Sequence, residues 1–231
     1  CEDCYTGDWA MWTGDWRANA RVHPDNLESV RDATKDMGAG LMLWFEPERV
    51  AKTAKFAKSH SELLFDAGWS HLLSFGNPDA RAFVTDLVSD FARRLDFSCY
   101  RQDFNMGLSD VFAKIDEKDR RGISEIRHVT GLYAVWDELL ARNPGMLIDN
   151  CSSGGRRIDL ETLCRSVPFF RSDYQCAFNA NADVVQAHNA GLSRLIPFSG
   201  CTTKSSDLYS LRSSYSSSYG VAYWNAVFQD E

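Results

Sequence analysis

The sequence predicts an α/β fold built on a parallel sheet. Three observations predict it: amphipathic helical stretches alternate with short apolar segments, the 231 residues approach the roughly 250 of a complete (β/α)8 barrel, and the apolar segments end in polar or charged residues. A barrel collects such ends on one face. An open, doubly wound sheet collects them on one edge, so both arrangements stay open at this point.

The elements follow in order. Asp25 to Met37 sets Leu27, Val30, Ala33 and Met37 on one helical face, and Gly38-Ala39-Gly40 leads into a strand from Leu41 to Phe45. Glu46-Pro47-Glu48 reads as a helix start, since acids suit the positive end of the helix dipole and proline suits the first turn. Asn77-Pro78 is a cap followed by proline, opening a helix with Val84, Leu87, Val88, Phe91 and Leu95 at 3.6-residue spacing. A strand from Phe97 to Phe104 follows. Ile126, Val129, Tyr133, Trp136 and Leu140 line the next helix, which Asn143-Pro144-Gly145 stops. Then come a strand from Met146 to Asn150, a glycine turn and a short helix from Asp159. A strand from Val167 to Arg171, a helix near Ala180 to Asn189 and a strand from Leu195 to Ser199 complete the series. The serine-rich stretch from Ser205 to Ser218 keeps Leu208, Tyr209, Leu211 and Tyr215 and reads as ordered.

Composition narrows the function. With 44% hydrophobic and 25% charged residues the chain is neither disordered, collagen-like nor a coiled coil. The longest strongly apolar run, Leu41 to Phe45, falls far short of the roughly 18 residues of a membrane span, so no membrane partner is expected. No basic-then-apolar signal pattern opens the sequence, and the compartment stays unassigned. A net charge of −7 weighs against a nucleic-acid partner, which asks for a basic stripe. Cys1 and Cys4 have C-x2-C spacing without a second pair, and the five histidines show no ligand spacing, so no metal site is read. Cys99 and Cys151 fall at strand positions and read as small buried hydrophobes. No G-x-G-x-x-G or P-loop follows a strand, which removes the main support for nucleotide binding.

Chemistry is concentrated at the strand ends. Asp103 and Asp173 each close a strand, two βα units apart, and neither belongs to a helical ion-pair pattern. Paired carboxylates are what glycoside hydrolysis needs, one to attack the anomeric carbon and one to protonate the leaving oxygen; retaining chemistry wants them about 5–5.5 Å apart. Arg101 and Asn105 share the strand face of Asp103. The same spacing also fits a strand-end ion pair of Arg101 and Asp103 that only finishes a barrel layer. Trp9, Trp12 and Trp16 cluster early in the chain, either to line a subsite or to pack a loop down.

Five segments, in order, resemble the catalytic barrel of clan D glycoside hydrolases, the family 36 α-galactosidases or melibiases. Gly14-Asp15-Trp16 with His23-Pro24 resembles G-D-W…F-P. Leu43-Trp44-Phe45-Glu46-Pro47-Glu48 resembles L-W-F-E-P-E. Arg101-Gln102-Asp103-Phe104-Asn105 resembles the nucleophile strand K-W-D-x-N. Cys151-Ser152-Ser153-Gly154-Gly155-Arg156-Arg157-Ile158-Asp159 resembles C-S-G-G-G-G-R-F-D, and Arg171-Ser172-Asp173 resembles the acid/base strand W-T-S-D. Glu2-Asp3-Cys4-Tyr5 is similar to D-D-C-W of the sister family 27.

The resemblance implies an incomplete (β/α)8 TIM barrel, approximately strands 2 to 7, with residues 1–231 forming part of one catalytic domain of a longer protein. It implies a retaining α-galactosidase with Asp103 as nucleophile and Asp173 as acid/base. Glu2, Asp3, Trp44, Arg101, Asn105, Cys151, Gly154 and Arg157 would bind substrate. Neither cofactor nor metal is implied. The partner is an oligosaccharide or galactoside, and the full-length protein is expected to form homo-oligomers. Related outcomes are an α-galactosyl transferase of the raffinose-synthase kind, a hydrolase acting on N-acetylgalactosamine or arabinopyranose, and an inactive carbohydrate-binding barrel. Arg157 and Asp159 are expected to orient the glycine turn. Departures from the family pattern touch specificity: Arg101 replaces Lys, Glu2 replaces Asp, Arg156 replaces Gly, and Gly68-Trp69-Ser70 stands where many members have Gly and a substrate-contacting Arg.

Overall fold

A computed structural model describes residues 13–177, 179–196, 198, 200–203 and 207–221. Glu2, Asp3, Trp9 and Trp12 lie outside the described residues. The chain divides into two compact units, residues 1–148 and 149–231.

In the first unit, β1 (Met42–Phe45) pairs in parallel with β5 (Cys99–Gln102), and the sheet order is β1-β5-β6, with β6 at Leu147–Asn150. The first two residues of β6 belong to this unit. A second sheet follows β1 directly. In it β2 (Arg49–Ala51) and β3 (Leu64–Asp66) both run antiparallel to β4 (Ser70–Leu73). The helices are α1 (Glu28–Asp36), α2 (Lys55–Ser59), α3 (Pro78–Leu95), α4 (Ser109–Ile115) and α5 (Ile123–Arg142).

The 3.6-residue spacing explains the α3 side of the core, where Val84, Val88, Phe91 and Leu95 are buried. In α5 the expected stripe is corrected: Trp136 is buried but Ile126 and Val129 are exposed, and the buried face is His128, Leu132, Val135, Trp136 and Leu139. The buried apolar side chains close over Phe45, Tyr100 and Ile148 of the sheet. Each such side chain removed from water stabilises the fold by roughly 1.5–3 kcal/mol, before the cost of ordering it. Trp16 joins this packing, its ring 5.3 Å from Phe56 and 5.7 Å from Phe83, so of the three early tryptophans this one packs its loop down. The predicted cap is present: Pro78 opens α3 and the Asn77 side chain accepts from the Asp79 amide at 2.9 Å.

The second unit holds α6 (Leu160–Leu163), α7 (Ala182–Leu192), α8 (Leu208–Ser213) and the parallel pair β7 (Gly200–Thr203) and β8 (Ser218–Val221). A one-turn 3-10 helix covers Asp173–Cys176. Asp159 caps α6 in a reciprocal box with Thr162, as its position before the helix predicts.

Three further expectations are corrected. Glu46-Pro47-Glu48 does not start a helix; both acids are fully buried and Arg49 begins a strand whose three residues are all buried. Side-chain partners for the buried acids outweigh the local helix preference. Val167 to Arg171 is not a strand. It makes one parallel bridge, Val167 to Asp149, after which the Phe169 amide turns to the Asp149 carboxylate at 2.9 Å. Nor are the described residues Leu195, Ile196 and Phe198 in a strand: Leu195 and Phe198 are exposed, and the described strand is the small, fully buried run from Gly200 to Thr203. Pro197 and Ser199 lie outside the described residues.

Removing the α3 cap with Asn77→Ala should cost about 1 kcal/mol. The denaturant midpoint of the full-length protein should fall accordingly, and Asn77→Asp should hold it near wild type.

Candidate functional site

Parallel pairing puts Trp44 of β1 opposite Arg101 of β5. One residue beyond the paired segment, the Asp103 amide donates to the Phe45 carbonyl at 2.8 Å and prolongs the ladder. The Asp103 side chain therefore returns to the Trp44–Arg101 face. The Trp44 indole Nε1 donates to Asp103 Oδ2 at 3.2 Å, and the Phe104 amide donates to Oδ1 at 2.7 Å. Both carboxylate oxygens are thus fixed by donors. Trp44 stays 44% exposed, and Arg101, Asp103 and Asn105 are half-buried. Of these four, Trp44 lines a cleft of about 330 Å³, together with Gly14, Trp16, Leu43, Glu46 and Phe91. A larger one of about 450 Å³ is lined by Gly40, Ser98 and Pro144, which precede the strands and lie away from these carboxylates.

Below this face sits a polar layer that the sequence reading missed. Glu46 forms two hydrogen bonds with Arg49, through Nε at 2.8 Å and through Nη2, and both residues are 1% exposed. The same Glu46 Oε1 accepts from the Asn105 backbone amide at 2.7 Å. Burial pushes the Glu46 carboxyl above the ordinary range, while the bonds from Arg49 and Asn105 pull it back. Glu48 accepts from Gln102 Nε2 at 2.8 Å and bonds His128 Nε2 at 2.8 Å. His128 Nδ1 accepts from the Phe75 amide at 3.1 Å, so its proton lies on Nε2, toward Glu48. Gln102 Oε1 in turn accepts from Trp136 Nε1 at 2.7 Å and from the Tyr100 hydroxyl at 3.0 Å. Acids placed between the apolar runs Leu41–Phe45 and Val50–Ala51, with Arg three residues after the first, are the signal that could have pointed to buried pairing.

The second unit carries the remaining candidates. Cys151 is buried, like Cys99. After it the chain makes a tight turn, closed by the Ser152 amide on the Gly154 carbonyl at 2.9 Å. Gly154 has φ +81°, and a Cβ there would lie 2.8 Å from the Asp173 amide nitrogen. The backbone bearing Asp173 thus packs directly on this glycine, in space no side chain can share. Asp173 is exposed at the start of its 3-10 turn, which Ser172 caps by accepting from the Tyr174 amide at 3.1 Å. Arg171 is buried and donates to the Asn189 carbonyl at 2.6 Å at the end of α7; burial draws its guanidinium below the usual value. Arg157 contributes its carbonyl, which accepts from Asn150 Nδ2 at 2.8 Å and from Thr162 Oγ1 at 2.6 Å. Asp159 uses its carboxylate on the α6 cap rather than on the glycine turn. Arg156 arches over that turn, with Nε on the Ser152 carbonyl at 3.1 Å and Nη2 on Ser153 Oγ at 2.9 Å.

The first unit therefore places Trp44, Arg101, Asp103 and Asn105 along one strand face and its extension, and the second sets Gly154 against the backbone of Asp173 and also holds Cys151 and Arg157. Glu2 and Asp3 lie outside the described residues. Among those described, no group of three or more His, Cys, Asp or Glu is arranged to hold a metal ion, and no helix is long and apolar enough to cross a membrane.

The family model described as Melibiase matches residues 7–205. The chain belongs to the melibiase family. Among curated relatives, Alpha-galactosidase Mel36A of Lactobacillus acidophilus is 26% identical over 168 residues, covering 69% of this melibiase-family chain and 23% of its own length. Alpha-galactosidase AgaA of Geobacillus stearothermophilus is 25% identical over 154 residues, covering 63% and 21%. The chain thus spans between a fifth and a quarter of the length of these relatives. A solved structure of a variant of that GH36 AgaA with stachyose superposes with a TM-score of 0.80 at 21% identity, covering 93% of this chain and 32% of the other. The galactosidase domain of the alpha-galactosidase–sucrose kinase AgaSK superposes with a TM-score of 0.80 at 20% identity, covering 96% and 32%. The α/β fold is therefore that of the melibiase family.

Glu46→Gln should leave an acceptor for the Asn105 amide but remove the opposite charge that faces buried Arg49. A loss of about 3–5 kcal/mol is expected in denaturant unfolding of the full-length protein. A loss under about 1 kcal/mol would show that Arg49 finds other partners.

Proposed function

We propose that the protein containing this chain is a retaining α-galactosidase, with Asp103 as nucleophile and Asp173 as general acid/base. Residues 1–231 are read as part of its catalytic (β/α)8 barrel, approximately strands 2 to 7. One observation carries the reading. Asp103, in a family whose named relatives are α-galactosidases, ends a parallel strand with both oxygens held by donors, from Trp44 and from its own loop. Solved relatives bound to stachyose and raffinose support a galactoside as the substrate.

In this mechanism Asp103 attacks the anomeric carbon while Asp173 gives its proton to the glycosidic oxygen. The bond to the leaving group breaks as the Asp103 ester forms. Asp173, now a carboxylate, takes a proton from water, which displaces Asp103 and returns the sugar with retained configuration. The donors on Asp103 fix which oxygen faces the sugar before reaction, so little reorganisation is left for the transition state. Trp44 offers an indole face to the apolar C–H face of the same ring. Arg101 and Asn105, on the face of Asp103, are read as hydroxyl ligands. Cys151, Gly154 and Arg157 are read as pocket wall, and Glu2 and Asp3 as ligands to outer hydroxyls.

The full-length protein, assayed on an aryl α-galactoside, should lose at least about a thousandfold in kcat/KM with Asp103→Ala, a barrier increase of about 4 kcal/mol. Asp173→Ala should harm raffinose turnover far more than that of the activated aryl substrate, whose leaving group needs little protonation. Unchanged turnover after Asp103→Ala would overturn the nucleophile assignment.

A further inference from the structure

We infer that Trp69 is a stacking platform for the sugar next to the scissile bond, so that the enzyme favours galactosides whose leaving group is itself a neutral saccharide. The inference deepens the α-galactosidase reading and rests on it.

The observation is an aromatic ring held rigidly in solvent. Strands β3 and β4 are joined by Gly68-Trp69, closed by the Ala67 amide on the Ser70 carbonyl at 2.9 Å. Gly68 has φ +87°, left-handed backbone that favours glycine and fixes the bend before Trp69. Asp66 locks the turn further. Its carboxylate accepts from the Gly68 amide at 2.9 Å and pairs with Lys52 at 3.2 Å. The Arg49 guanidinium lies over the Trp69 ring, 5.2 Å from its centroid, yet Trp69 is 56% exposed. The core gains little from this indole, while the turn and the cation–π contact have already removed much of its freedom. A pre-ordered, open aromatic face is what the C–H face of a pyranose binds.

Its place in the fold identifies the sugar. The β2-β4-β3 sheet is inserted directly after β1, whose C-terminal end, by parallel pairing, is at the same edge as the end of β5 that leads into Asp103. Trp69 is coupled to that strand end through a continuous chain: its ring on Arg49, Arg49 on Glu46, and Glu46 on the Asn105 amide. Trp44, bonded to Asp103 itself, is the aromatic beside the ring under attack. Trp69, on a separate hairpin, is left for the neighbouring ring. Arg49 is itself too buried to meet a ligand, so it acts by holding Trp69 and Glu46.

The test compares raffinose with methyl α-galactoside, whose leaving group offers nothing to stack, on the full-length enzyme and its Trp69→Ala and Trp69→Tyr variants. Trp69→Ala should raise KM for raffinose about five- to tenfold with kcat held within about twofold, leave KM for methyl α-galactoside unchanged, and be largely rescued by Trp69→Tyr. Equal effects on both substrates, or none on raffinose, would overturn the inference while leaving the α-galactosidase reading intact. A wild-type enzyme that turns over neither substrate, yet binds raffinose in a Trp69-dependent way by calorimetry, would overturn that reading and support the platform.

Discussion

The candidate site in the first unit depends on one buried carboxylate. Glu46 directly follows β1 and is almost entirely out of water, where an unpaired charge is not tolerated. It is satisfied from two sides. Arg49, three residues on, supplies a two-point charged contact, and the Asn105 amide, beyond the end of β5, supplies a third donor. The first bond fixes where β2 begins. The second fixes how the chain leaves β5, and so the loop on which Asp103 sits. A single acid thus connects the two strand ends that present Trp44 and Asp103, and through Arg49 it reaches the hairpin that carries Trp69. Such a network contributes geometry more than net stability. A buried ion pair roughly offsets its own desolvation, while breaking it is costly.

The second polar layer, Glu48 with Gln102, His128, Trp136 and Tyr100, is the continuation of this arrangement into the core. Each member uses its donors and acceptors on another member, so the layer tolerates burial among Phe75 and Leu139 without orphaned charge. In the second unit the constraint is steric. The backbone before Asp173 packs on Gly154 where a methyl group would collide, and Arg171 anchors the same segment to the end of α7. The two candidate carboxylates are therefore positioned by different physics, one by buried charge pairing and one by close backbone packing.

Much of this was legible in the sequence, for reasons that can be named. The 3.6-residue stripe of α3 and the Asn77 cap are strong local signals, because packing and capping reward the same residues that periodicity shows. In α5 the helix was legible but its buried face was not, since buried His128 partners Glu48 while Ile126 and Val129 stay exposed. Asp103 was legible as a functional candidate because a carboxylate ending an apolar parallel strand needs a use. Glu46 and Glu48 were misread, since Glu-Pro-Glu is a good helix start locally. Arg49, near in sequence, and Asn105 and His128, distant from it, together make burial the better solution. Val167 to Arg171 looked like a strand from its apolar run. Its backbone is instead drawn off by the Asp149 carboxylate, a competition that no periodicity reveals.

In the proposed mechanism the Asp103 carboxylate, held by Trp44 and its own loop amide, forms the bond to the sugar. Incubating the full-length protein with a slowly turned-over fluorinated galactosyl fluoride and mapping the adduct by peptide mass spectrometry examines that bond itself. One galactosyl unit is expected, attached at Asp103 and absent from Asp103→Ala. A label on any other residue, or turnover with inverted configuration and no label, would rule the mechanism out.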